Sequence, residues 1–327
     1  MSSFDASPDR FFRRLLFATG IPIVLFTLSD IALPDSFIAD QATVWMMFLG
    51  SSAHVASSFF FYSDPEMRAH MFGANRGRFV WAPVFVIAAM AAVFASMPAA
   101  LPYVSMFYWI WQTHHYTRQN HGILAFTSKA YGGAPSELER TALTLSGVGG
   151  VIGALTVLAP YRDTFLAEYG WHVHMVALGA YAGGWLLFVV SLAQNRERPA
   201  HRMRALMPVV LMLFYLPLFV FHDVRLAVGS YAMAHGLQYL VFMSYVAASP
   251  AKVMRRRAAT LIAFIVVLGG GLELLQKPHL MGEYKMPIFG AYLGIVMWHF
   301  LLDAGVWRLR EPFQRSYMAE RFPFLKS

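Results

Sequence analysis

Long apolar runs recur from one end of this 327-residue chain to the other, and they leave it few ways to fold. A helix that crosses the hydrocarbon core of a bilayer needs about 20 mostly apolar residues. Inside lipid such a segment must satisfy its own backbone N–H and C=O groups, which selects the helix. Ten stretches meet the length rule, at 12–33, 42–62, 79–98, 101–126, 141–159, 171–193, 205–222, 226–248, 258–275 and 287–307. The breaks between them carry turn chemistry, as in Leu33-Pro34-Asp35, Asp64-Pro65, Gly132-Gly133-Ala134-Pro135, Ser249-Pro250 and Lys277-Pro278. Composition agrees: 57% of the residues are apolar and 13% charged, about half the charged share of a soluble domain. The expected fold is all-α, a polytopic bundle of about ten transmembrane helices. It is expected to form a single domain over 1–327, with short cytoplasmic tails at about 1–11 and 308–327. The first residues show no cleavable-signal pattern, so the first span is expected to stay in the mature protein.

The charges orient this bundle. A net charge of +8 can signal nucleic-acid binding, but here the basic residues follow topology instead. If the chain starts inside, 21 of its 26 lysines and arginines fall in the N-terminus, the loops after even-numbered spans, and the C-terminal tail. The opposite side receives Arg162, Arg225, Lys277 and Lys285, and Arg118 lies within a span. That asymmetry places both termini in the cytoplasm, assigns the basic loops to anionic lipid, and leaves no role for nucleic acid.

Nine of the twelve histidines fall within the expected spans. Ionisable residues at such depth are costly and mark functional sites. Spans 2, 4, 8 and 10 all run from outside to inside, which converts position to depth at about 1.5 Å per residue. On that scale His54, His114, His115, His235 and His299 all lie about 12–21 Å in, on four different helices. His172, His174 and His222 sit at the outer ends of their helices as a second, shallower group, and His121 lies near the inner boundary.

Local sequence sharpens the first set. On span 4, His114, Arg118 and His121 share a face at i, i+4 and i+7, while His115 and Gln119 share the adjacent one. So polar a segment is expected to face the bundle interior or a wet cavity. Gln238 and Tyr239 follow His235 on its face, and Asp303 stands one turn after His299, placed to accept a ring N–H and orient a ligating imidazole. Ser51, His54, Ser57 and Ser58 line one side of span 2.

The absence of cysteine excludes disulfides, thiolate metal sites, iron–sulfur clusters and thiol nucleophiles. No G-x-S-x-G elbow or H-E-x-x-H helix is present, which leaves soluble hydrolase chemistry without support. A set of buried imidazoles on four helices points to metal, and imidazole suits Fe(II) with positions left open for O₂ and substrate. The candidate ligands are His54, His114 or His115, His121, His235 and His299, holding one or two non-haem iron ions. Asp303 would orient His299, and Tyr239 and Gln119 would contact substrate or oxygen. A mid-membrane site suits a lipid-soluble substrate. Two other classes fit the same residues: a haem-binding electron-transfer or quinone protein with axial histidines, and a proton-coupled transporter using histidine, Arg118 and Asp303 as a relay.

Four segments, Ser52-Ala53-His54-Val55, His114-His115-Tyr116-Thr117, Ala234-His235-Gly236-Leu237-Gln238-Tyr239 and Trp298-His299-Phe300-Leu301-Leu302-Asp303, resemble in order and spacing the Brp/Blh family of bacterial membrane carotene dioxygenases. The resemblance covers about 42 to 311. It implies a multi-pass protein of the bacterial plasma membrane, and an iron-dependent dioxygenase acting on a carotenoid, another isoprenoid or a related lipid. The chain departs from the family pattern in three places. His-Gly-x-x-Asp stands here as His54-Val55-Ala56-Ser57-Ser58, and His-Phe-Gly-x-x-Asp has become the His114-His115 stretch. A second histidine one turn after the third motif is Tyr239.

Overall fold

In the computed structural model the described residues are 7–32, 48–73, 75–157, 168–194, 201–221, 224–249, 253–277, 282 and 284–326. Among them there is no strand; the secondary structure is helical throughout. We number the helices α1 (Pro8–Ala32), α2 (the successive pieces Phe48–Ala53, His54–Ser57 and Phe60–Ser63), α3 (Pro65–Phe72), α4 (Gly77–Ser96), α5 (Leu101–Ala130) and α6 (Glu137–Val157). There follow α7 (Gly170–Gln194), α8 (Arg202–Leu213 and, after a turn, Pro217–Val220), α9 (Val224–Ala248), α10 (Met254–Leu275), α11 (Lys285–Val306) and α12 (Pro312–Arg321).

Five of these, α4, α6, α7, α10 and α11, are both long and apolar enough to cross a membrane. Their outward residues are large and apolar: Phe85 is 73% exposed, Val267 69% and Trp171 70%. Such a surface is stable against lipid, whereas contiguous patches of it in water would drive association. The chain is a polytopic helical membrane protein. The long helices α5 and α9 coincide with expected spans but fall short in apolarity, because histidines, glutamines and other polar residues occupy their middles.

Packing groups the described residues into two compact units. One draws on Met47–Leu101 and Tyr239–Pro323, the other on Ala6–Met46, Pro102–Gln238 and Phe324–Ser327. In the first unit α4 and α11 lie against each other at two glycines. A Cβ at Gly290 would stand 2.5 Å from the Met90 carbonyl oxygen, and one at Gly294 would stand 2.6 Å from the Ile87 Cα. Backbone atoms cannot yield as a flexible side chain does, so only glycine permits this approach. Gly290→Val is therefore expected to destabilise the protein by about 1–3 kcal/mol, the usual cost of overpacking, read as a lower melting temperature in detergent. A melting curve matching the wild type would mean the helices can separate at no cost.

The expected C-terminal tail is in fact a packed helix. In α12, Tyr317 and Met318 are fully buried, Arg321 reaches Asp64 and Glu66, and Phe313 stacks on His70 at 3.9 Å. The Asp64 side chain caps α3 by accepting from the Met67 N–H at 3.0 Å, and it also accepts from Arg257 at 2.6 Å. The expected N-terminal tail likewise gives way to helix from Pro8, with Phe11 and Phe12 buried beside Phe324. In the second unit, glycines again let α6 and α7 approach: a Cβ at Gly149 would stand 2.7 Å from the Ala177 carbonyl, and one at Gly184 would stand 2.8 Å from that of Ala142. An aromatic core of Tyr116, Tyr181, Phe214, Tyr215 and Tyr231 fills the same unit.

Candidate metal centre

The first unit gathers His54, Ser58, Tyr239, His299 and Asp303. α2 is irregular where it supplies them: a wide helical turn over Phe48–Ala53 precedes His54, and the helix breaks again after Ser57. Wide turns of this kind recur at functional sites, because they re-aim the side chains that follow. The Ser57 hydroxyl donates to the His54 carbonyl at 2.6 Å, a back-bond that competes with the helical ladder. His54 and His299 are 2% and 0% exposed, their ring centroids are 4.8 Å apart, and the nitrogens they offer lie within 4.8 Å of each other. The Tyr239 ring packs edge-on to both, at 5.9 and 5.0 Å.

Hydrogen bonds fix the protons here. Tyr239 donates to Asp303 Oδ1 at 2.8 Å, Ser58 donates to the Tyr239 hydroxyl at 3.1 Å, and the Ser58 oxygen lies 2.7 Å from His299 Nδ1. Each hydroxyl carries one hydrogen. All three bonds form together only if His299 Nδ1–H donates to Ser58, which places the imidazole lone pair on Nε2. Asp303 Oδ2 lies 3.6 Å from that Nε2. The expected orienting role of Asp303 is therefore corrected: at that distance it is a charge neighbour beyond hydrogen-bond reach, and Ser58 holds the His299 ring. The sequence placed Ser58 beside His54 on one side of span 2 but carried no sign that it holds His299.

The second unit holds another buried pair. His115 and His235 are 8% and 0% exposed, with ring centroids 5.1 Å apart, and Tyr116 stacks on His235 at 4.0 Å. Gln119 donates to the His235 carbonyl at 3.2 Å and to Gln238 Oε1 at 2.8 Å, so its amide ties α5 to α9. His114 is exposed, as is Arg118 on the same face; of the two expected surroundings, bundle interior or wet cavity, their exposure leaves out the closed interior. His121 meets Thr144 at 3.2 Å. Of the outer group, His172 is exposed, His174 meets Thr156 at 3.2 Å, and His222 lies outside the described residues.

Tyr239, expected to contact substrate or oxygen, is deeply buried and bonded to Ser58 and Asp303. Two fully enclosed imidazoles and a carboxylate suit a divalent metal, since such donors are otherwise expensive to bury together. No family model matches the sequence, and no curated protein or solved structure matches it either.

Proposed function

We propose that this protein is a histidine-ligated, non-haem iron oxygenase embedded in the bacterial plasma membrane, acting on a lipid-soluble substrate such as a carotenoid or another isoprenoid. In this reading the chain crosses the membrane ten times with both termini in the cytoplasm. The observation that carries the proposal is the enclosed His54–His299 pair, with ligand nitrogens within 4.8 Å and one ring oriented by Ser58. The resemblance of four histidine segments to membrane carotene dioxygenases supports the same chemistry.

His54 and His299 would hold the metal, with the Asp303 carboxylate beside them to balance its charge. The sequence-level ligand set adds His115 and His235, which the second unit keeps as a buried pair. Non-haem Fe(II), when bound by these residues, would supply the activation of O₂. The chain's own part is to fix the donors and keep bulk water out. Ser58 sets the tautomer of His299, and Tyr239 keeps its proton on the bond to Asp303 Oδ1. The Phe300 ring lies edge-on to His299 at 5.9 Å, an apolar neighbour that suits an apolar substrate better than a charged one.

Iron analysis and an absorption spectrum on one purified sample test the proposal. Stoichiometric iron without a Soret band is expected. A strong Soret band would make it a haem protein, and metal-free protein would remove the oxygenase reading. Ser58→Ala is expected to weaken iron binding by about 10–100-fold, the usual cost of losing the partner that orients a ligating histidine. Iron titration of the apoprotein measures this, and unchanged affinity would show that Ser58 does not act on the metal.

A further inference from the structure

We propose that the exposed face shared by α5 and α6 binds the phosphate headgroup of an anionic phospholipid, through Arg118, His121 and Arg140. On α5, His114, Arg118 and His121 occupy one face, and His114 and Arg118 are exposed. Arg140 and Thr144 are exposed one turn apart on α6, and Thr144 meets His121 Nε2 at 3.2 Å, which joins the two stripes. The charges of Arg118 and Arg140 both bear on His121, and that of Arg118 also bears on His114. Among the described residues no carboxylate forms an ion pair with either arginine. The nearest in sequence, Glu139, is buried and bonded to Arg204 at 2.8 Å.

Cations on the outer face of a membrane helix are costly unless an anion meets them. Guanidinium groups pair with phosphate oxygens through two parallel hydrogen bonds. Farther along the same face of α5, the exposed surface becomes aromatic, with Trp111 and the 54%-exposed Phe107 5.7 Å apart. A headgroup phosphate at Arg118, His121 and Arg140 would let an acyl chain run along Trp111 and Phe107. A free anion would use only the basic half of this surface. Arg140 and Lys129 flank the loop that the charge asymmetry assigns to the cytoplasm, so the lipid belongs to the inner leaflet.

The test uses the full chain, delipidated in detergent and reconstituted into phosphatidylcholine nanodiscs with a minor fraction of phosphatidylglycerol. Native mass spectrometry reads the phosphatidylglycerol retained. Arg118→Gln/Arg140→Gln is expected to lower retention about 25-fold, or about fivefold for each basic residue's ~1 kcal/mol. Arg118→Lys/Arg140→Lys, which keeps the charge but loses the paired hydrogen bonds, should fall between the wild type and that variant, and the control Arg310→Gln/Arg315→Gln should keep most of the retention. Unchanged retention in the first variant overturns the proposal, and so does equal loss in the lysine variant. Displacement of the lipid by inorganic phosphate would show a free-phosphate site instead. Dimers in pure phosphatidylcholine that the Gln variant abolishes would make the face a contact between copies of this chain.

Discussion

On the proposed iron-oxygenase function, His299→Ala is expected to leave purified protein with iron affinity at least about 100-fold below wild type, and with no oxygenase activity. The size follows from position: losing only the outer partner of a ligating histidine costs about 10–100-fold, and this substitution removes the donor itself. His299 has no exposure, sits 4.8 Å from the His54 ring and receives its orientation from Ser58. His54→Ala should behave alike. Metal analysis with a parallel melting curve separates loss of iron from loss of fold. Added imidazole should restore part of the binding in the His299→Ala cavity. Wild-type iron content in both variants would show that the metal, if bound, is held elsewhere.

Asp64→Ala is expected to destabilise the protein by about 3–5 kcal/mol, the usual cost of removing one partner from a buried ion pair. Asp64 is 1% exposed and joins three segments: it caps α3, pairs with Arg257 at 2.6 Å and lies 3.5 Å from Arg321. Arg321 keeps Glu66 at 3.2 Å, so Arg257 bears most of the loss. Asp64→Ala/Arg257→Met should recover much of the stability, because both charges then leave the interior together.

The same carboxylate makes stability depend on pH. Burial alone would raise its pKa. The Met67 N–H, then the Arg257 hydrogen bond and the charges of Arg257 and Arg321, outweigh burial and hold it below the ordinary 3.8. A depressed folded value means that the stabilisation is complete above the ordinary value and is lost as pH falls through the folded one. Melting temperature should therefore drop below about pH 4 in the wild type, and the drop should shrink in Asp64→Ala. An equally steep acid limb in the variant would assign it to other groups.

The helices were legible because the bilayer leaves a chain few choices. Apolar runs at 79–98, 141–159, 171–193, 258–275 and 287–307 became the five long apolar helices, within a few residues. Helix identity was equally clear for the polar segments around His115 and His235, since expected spans and observed helices coincide there. Less visible was the packed helix Pro312–Arg321. Half of its residues are polar, and contacts distant in sequence hold it in place: Arg321 with Asp64 and Glu66, Phe313 on His70, and the buried Tyr317 and Met318.

The candidate site divides along the same line. Sequence alone set His54, His115, His235 and His299 on four different helices, because each falls in a separate apolar or helical run, and the described residues place them on α2, α5, α9 and α11. It also determined that His299 and Asp303 share a face. Only the tertiary structure decided that His115 turns inward and His114 outward. Neighbouring residues differ by about 100° around a helix axis, and the packing of other helices sets which direction is buried. It likewise decided that Ser58, rather than Asp303, holds His299. That bond joins residues 241 positions apart, a distance no local pattern spans.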